Sequence, residues 1–192
     1  MERIINVELY NEIYTIEEWC EINKKNNENY KLMANLDLKN ADPRKYAGQD
    51  FYGILDGQGH TIQNMYISKS VGKTLFNLTD SKTKVCNLNI KNYNLEKDGG
   101  DVGIFARVLQ LENVNVDTVN IKASTGSNIG GIMAYGNGFK IENSTFNNIN
   151  IQNNYSATTV GIGGLVGEGS GEIKNVYINN LNIKAQSISA SH

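Results

Sequence analysis

From Cys86 onward the alternation of apolar and polar positions falls into a ten-residue block that recurs four times without a gap. The copies are CNLNIKNYNL from Cys86, ENVNVDTVNI from Glu112, ENSTFNNINI from Glu142 and KNVYINNLNI from Lys174. Apolar positions such as Val114, Val116, Val119 and Ile121 are separated by polar ones, the period-two behaviour of a strand, broken once by a two-residue bend. Two asparagine columns run through the copies, one at Asn87, Asn113, Asn143 and Asn175, the other at Asn94, Asn120, Asn150 and Asn182. Both step by 26, 30 and 32 residues, so the blocks keep register while the intervening stretches vary in length. Stacked rungs with variable loops have this signature.

A second element precedes each block: TLFN from Thr74, GIFA from Gly103, GIMA from Gly131 and GLVG from Gly164. Each unit is therefore a small-residue bend, an apolar strand, a loop and the block. Units of about 23 to 32 residues with several strands each bury their apolar face only against the next unit, at ~4.8 Å per layer. A right-handed parallel β-helix satisfies this, because crossover connections between parallel strands are overwhelmingly right-handed. Leucine-rich repeats need a dense LxxLxL pattern that the blocks lack.

The N-terminal part differs. Thr15 followed by Glu18 reads as a capping box before Ile16, Trp19, Cys20 and Ile22, predicting a short amphipathic helix that covers the apolar cross-section of the first rung. Residues 30–38 alternate like a strand, residues 43–49 read as a loop, and residues 62–67 read as an imperfect first rung with Asn64 in the Asn87 column. A single β-helix domain follows, with residues 1–29 as cap, 30–183 as rungs and 184–192 as a tail. After Ile183 only KAQSISASH follows, which leaves the final rung partly open or marks a cut through a longer chain. An open edge is a docking surface or an aggregation hazard.

Composition narrows the function classes. The chain has 192 residues, 40% hydrophobic and 20% charged, enough for one substantial core. A net charge of −2 without a basic stripe gives no electrostatic case for nucleic acid or an anionic membrane. No window approaches the ~20 apolar residues of a membrane span, and residues 1–10 lack the basic start and apolar run of a signal peptide. Cys20 and Cys86 are too few for a disulfide framework, and with only His60 and His192 no zinc motif can be assembled. Neither a metal nor another cofactor is expected.

Residues 14–22, the YKLMANLDL strand, the LDGQGHTI segment from Leu55 and the GIFA, GIMA and GLVG bends followed by blocks resemble the GLUG-repeat β-helix region of bacterial surface proteins. These include adhesins and the N-terminal parts of IgA-cleaving metallopeptidases. The resemblance covers residues 14–183, nearly the whole chain. The peptidase activity of such proteins lives in a separate zinc domain that nothing here matches, so the resemblance implies a non-catalytic module at the cell surface or outside the cell.

Glu112 and Glu142 occupy one block position on consecutive rungs, roughly 5 Å apart at the backbone, close to the carboxylate spacing of a retaining glycosidase. Lys174 and Cys86 at the same position favour a solvated ladder with a Glu142–Lys174 ion pair. His60, with Asp56 four residues away, reads as part of a tight turn before it reads as a general base. Asp98 and Asp101 flank a diglycine that is a loop before it is a calcium site, and Arg107 reads as solvated or ion-paired.

The Asn87 column is expected at a bend, because asparagine tolerates the left-handed conformation. Asn120, Asn150 and Asn182 are expected to face outward as an amide stripe suited to sugar hydroxyls or peptide groups. Tyr52, Tyr66, Tyr93, Tyr135, Tyr155 and Tyr177 are candidate contact residues, Tyr177 foremost. The loops at residues 123–128 and 155–159 are further recognition surfaces.

These features favour a non-enzymatic module that binds a protein or a glycan, with self-association through the C-terminal edge as a further expectation. One alternative is an intracellular phage or mobile-element protein that inhibits a host protein by binding it, consistent with the absence of a signal and with two free cysteines. The other is a carbohydrate-active enzyme using Glu112 and Glu142.

Overall fold

A computed structural model describes residues 9–22, 27–76, 83–107, 110–125, 128–154 and 161–185. Every strand pairing in it is parallel. The layers follow one another as β1 (Tyr10–Ile13), β2 (Asn29–Leu32), β4 (Ile54–Asp56), β6 (Lys84–Asp98), β7 (Gln110–Thr125), β9 (Met133–Asn153) and β11 (Val166–Ala185). β3 (Leu36–Asp37) and β5 (Thr61–Ile67) extend the early layers, and β8 (Asn128–Gly130) pairs with β10 (Gly161–Gly163) on a separate wall. The chain is the parallel β-helix that the repeat predicts.

The block runs in register from β6 to β11. Val85, Leu111, Ile141 and Ile173 share a column, as do Ile90, Val116, Phe146 and Ile178. The apolar side chains turned inward sit at alternating intervals of three and two residues, for example Val85, Leu88, Ile90, Tyr93 and Leu95, all buried. Left-handed residues explain the intervals of three. Asn87, Asn113, Asn143 and Asn175 have φ of 51 to 53°, and five positions later Asn92, Thr118, Asn148 and Asn180 have φ of 55 to 65°. The block is thus bent twice, where alternation alone suggests one bend. Each bend resets the alternation, keeping both flanking apolar residues on the inside.

The expected register of the first rung is corrected in the same way. Thr61 pairs with Asn89 and Met65 with Tyr93, so Asn64 (φ 60°) belongs to the Asn92 column. The Gly57–His60 turn, with Gln58 at φ 50°, stands at the first bend.

The second wall holds the bends: Phe76 bridges to Phe105, Phe105 to Met133, and Met133 pairs with Val166. Glycine is required by close approach here. A Cβ on Gly131 would lie 2.2 Å from the Gly164 carbonyl oxygen, and one on Gly163 would lie 1.8 Å from the Val166 carbonyl oxygen.

The upper end carries the expected short helix. Thr15 and Glu18 form the predicted capping box of α1 (Ile16–Cys20), in which Glu18 N–H donates to Thr15 Oγ1 at 3.2 Å and Thr15 N–H to Glu18 Oε2 at 3.0 Å. The box orients Trp19, fully buried, edge-on to Phe76 with ring centroids 5.3 Å apart, and Phe76 stacks on Phe105 at 5.4 Å. Residues 43–49, expected as a loop, contain a second short helix, α2 (Pro43–Tyr46), capped by Asp42 and started by Pro43. Residues 30–38 hold two short strands, β2 and β3. β1 pairs with β2, so the solenoid begins within the segment expected to be cap alone.

Candidate functional site

The lower end is open among the described residues. On β11 the core columns continue, yet Ile173, Ile178, Leu181 and Ile183 are 52%, 41%, 44% and 38% exposed, whereas Ile141, Phe146, Ile149 and Ile151 directly above them are buried. The far edge of β11 also offers its backbone groups to a further strand. Tyr177, in the outward column of Asn115 and Thr145, is 68% exposed on the same rung. An apolar face, an open strand edge and an exposed tyrosine therefore adjoin one another, a combination suited to a polypeptide partner.

The outward asparagines form hydrogen-bonded ladders. Asn120 Nδ2 donates to Asn94 Oδ1 at 3.0 Å, Asn150 to Asn120 at 3.2 Å and Asn182 to Asn150 at 3.5 Å. Tyr66 heads this column in register with Asn94 and is 53% exposed. Beside it a shallow groove of ≈ 470 Å³ is lined by Lys39, Asn64, Tyr66, Asn92, Thr118 and Asn120, among others. The stripe is thus an ordered strip of amides with an aromatic ring at its head. Its amides already serve one another, which makes it a structural element first.

The carboxylate pair is assembled differently from the expected ladder. Glu112 and Glu142 are register partners, and Lys174 stands opposite Glu142. The ion pair that forms, however, joins Glu112 to Lys84, two positions upstream on the preceding rung. The hydrogen bond that Lys84 Nζ donates to Glu112 Oε2 is the main reason that the Lys84 pKa is held above its ordinary value. One member of the pair is thus engaged by a lysine rather than by its carboxylate neighbour.

Asp56 is likewise occupied: it accepts from Gln58 N–H at 3.0 Å, from the Gln58 side chain and from Asn87 Nδ2 at 3.0 Å. His60 closes the turn through its backbone, its N–H donating to Gly57 O at 2.7 Å and its carbonyl accepting from Asn89 N–H at 3.0 Å. Asp98 pairs with Lys69 at 3.1 Å and Asp101 with Arg107 at 3.6 Å. Arg107 also covers the Tyr135 ring at 5.1 Å. Among the described residues no group of three or more histidine, cysteine, aspartate or glutamate side chains is placed to hold a metal ion.

Tyr93 departs from its expectation as a contact residue. The second bend turns it inward, where it is fully buried and donates its hydroxyl to Gly103 O at 3.1 Å. Tyr155 lies outside the described residues, as do the whole of the loop at 155–159 and part of that at 123–128. Sequence reading also missed the groove between α1 and α2, lined by Cys20, Asp37, Asp42 and Lys45 among others, because two short helices have to pack before it exists. No helix among the described residues is long and apolar enough to cross a membrane. No family model, no curated protein and no solved structure matches this chain.

Proposed function

We propose that this protein is a non-catalytic interaction module that engages a polypeptide partner through the exposed apolar face of the β11 rung. The observation that carries the reading is the exposure of four core positions, Ile173, Ile178, Leu181 and Ile183, directly beneath buried counterparts and beside an open strand edge. Full burial of such a side chain is worth about 1.5–3 kcal/mol, and covering the half of each that is still exposed adds to strand pairing in offsetting the cost of association. The rungs above are hydrogen-bonded layer to layer, so the docking face is preformed and little ordering accompanies binding. The resemblance to GLUG-repeat surface proteins supports a place at the bacterial surface. Capture of a partner from host or neighbouring-cell extract, followed by titration with the purified partner, tests the reading. Ile178→Asp is expected to abolish binding and Tyr66→Ala to preserve it, whereas full binding by Ile178→Asp overturns the reading.

A second reading, glycan binding along the outer stripe, is favoured by the exposure of Tyr66 at the head of the Asn94–Asn120–Asn150–Asn182 column. It requires that Tyr66→Ala remove binding on a glycan array while Ile178→Asp does not.

A further inference from the structure

The amide ladder on the outer flank uses only part of what its asparagines offer. A carboxamide carries two N–H donors and two acceptor lone pairs. In the column of Asn94, Asn120, Asn150 and Asn182, each rung-to-rung bond consumes one donor and one lone pair. Asn120 and Asn150, both half-buried, therefore keep one N–H and one lone pair each for a ligand. Tyr66 heads the column, and its exposed ring carries a hydroxyl that bonds to no described residue. From Tyr66 to Asn182 the register makes four steps of ~4.8 Å, about 19 Å in all.

Two depressions adjoin along this column and share Asn120. The upper, of ≈ 470 Å³, holds Lys39 and Tyr66; the lower, of ≈ 140 Å³, holds Lys122, Asn150, Asn182 and Lys184. An open trough of this form suits a linear chain rather than a compact molecule. Its charge also departs from that of the whole protein. The chain carries a net −2, yet the described residues lining the trough include three lysines, Lys39, Lys122 and Lys184, and no carboxylate. Lys122 is held by Glu96 at 3.3 Å. The ammonium groups of Lys39 and Lys184, both on exposed residues, bond to no described residue. Asp37, whose carboxyl feels the Lys39 charge, is taken up by the amides of Asn64 and Gln63.

We propose that this flank binds a linear, carboxylated polysaccharide laid along the solenoid axis, one sugar facing each rung. The assignment rests on the glycan reading of the stripe and adds the class of glycan. One sugar ring stacks on Tyr66. The hydroxyls of successive sugars exchange hydrogen bonds with the unused amide groups, and carboxylates meet Lys39 and Lys184 in charge-assisted bonds. Spacing selects a sugar chain over an acidic peptide. A β-1,4-linked hexopyranose chain advances by nearly one rung per sugar, whereas an extended peptide advances ~3.3 Å per residue and falls out of step with the amides. A peptide strand added to a sheet also needs an unpaired edge, and here β6, β7 and β9 are paired on both sides. Because the trough lies on the flank, it stands whatever follows β11.

The test is isothermal titration calorimetry of the full chain with hexa-β-1,4-mannuronate and with the neutral hexa-β-1,4-mannoside of the same backbone. The acidic hexamer is expected to bind saturably. Binding should weaken about tenfold or more for the neutral hexamer and for the protein carrying Lys39→Gln and Lys184→Gln. Tyr66→Ala should abolish it and Ile178→Asp leave it unchanged, with the thermal melts of the Lys39, Lys184 and Tyr66 variants matching wild type because the altered side chains are exposed. Equal affinity for the two hexamers, both lost with Tyr66→Ala, overturns the acidic class and leaves the glycan reading standing. Binding of neither hexamer overturns the proposal; a blank glycan array then removes the glycan reading with it, whereas array signals that need Tyr66 keep that reading. Binding that survives Tyr66→Ala overturns the proposal by placing the sugar elsewhere. Equal binding of hexaglutamate overturns it by showing that the flank responds to charge alone.

Discussion

Asn113 separates backbone conformation from side-chain hydrogen bonding in one residue. It is exposed, has φ 53° and donates from Nδ2 to Asn87 Oδ1 at 2.8 Å. Asn113→Ala removes the ladder bond, worth about 0.5–1.5 kcal/mol, and leaves a Cβ-bearing residue without a local polar group in the left-handed region, at a further cost of about 1 kcal/mol. The expected loss is about 2 kcal/mol. Asn113→Gly forfeits the same bond but occupies φ 53° freely, although a more flexible unfolded chain takes back part of that relief, so its expected loss is about 1 kcal/mol or less. Urea unfolding followed by far-ultraviolet circular dichroism, with equal slopes for all variants, reads the difference. The order of stability should be wild type, then Gly, then Ala. Ala equal to or above Gly would refute the argument that asparagine is present for its left-handed backbone, and an unchanged Ala variant would refute both terms.

Trp19→Ala should cost about 3–5 kcal/mol by emptying the position above Phe76 and uncapping the aromatic stack, read as a large fall in Tm; a small change would mean that α1 is not a cap. Gly131→Ala should destabilise by about 1–3 kcal/mol because its Cβ would fall 2.2 Å from Gly164 O, and a neutral result in the same melt would refute the close-approach reading. The Asp37 carboxyl is held below its ordinary 3.8 by the Asn64 amide first, then by Lys39 N–H. A lowered native value adds stability that is complete above the unfolded value and disappears as pH falls through the native one. Wild type should therefore lose more stability than Asp37→Asn in denaturant midpoints taken between about pH 5 and about pH 2, and parallel curves would exclude the contribution. Burial foremost, then Asp56, pushes the Cys86 thiol up to about 11. Only about one thiol in a thousand is then ionised at pH 8, so Cys86 in a Cys20→Ser background should react with a disulfide reagent far more slowly native than unfolded.

The sequence by itself determined the solenoid, the capping box at Thr15 and Glu18, the bend column at Asn87 and the outward stripe at Asn94, because these are local regularities repeated rung after rung. Period-two alternation, left-handed tolerance and capping each act within a few residues, and the repeat multiplies the signal. Tertiary structure alone decided what depends on pairing between distant rungs. The Gly57–His60 turn holds two more residues than the Asn87–Leu88 bend it replaces, so only pairing with β6 moves Asn64 into the Asn92 column. The second bend turns Tyr93 into the core, which one-bend alternation does not reveal. Lys84 reaches Glu112 diagonally across a layer, a contact absent from any single column. The direction of the amide ladders is likewise invisible in the run of asparagines, since an amide can face either way. The fold fixes it where it sets Asp37, Asp56 and Asp117 above Asn64, Asn87 and Asn148, because a carboxylate accepts and cannot donate.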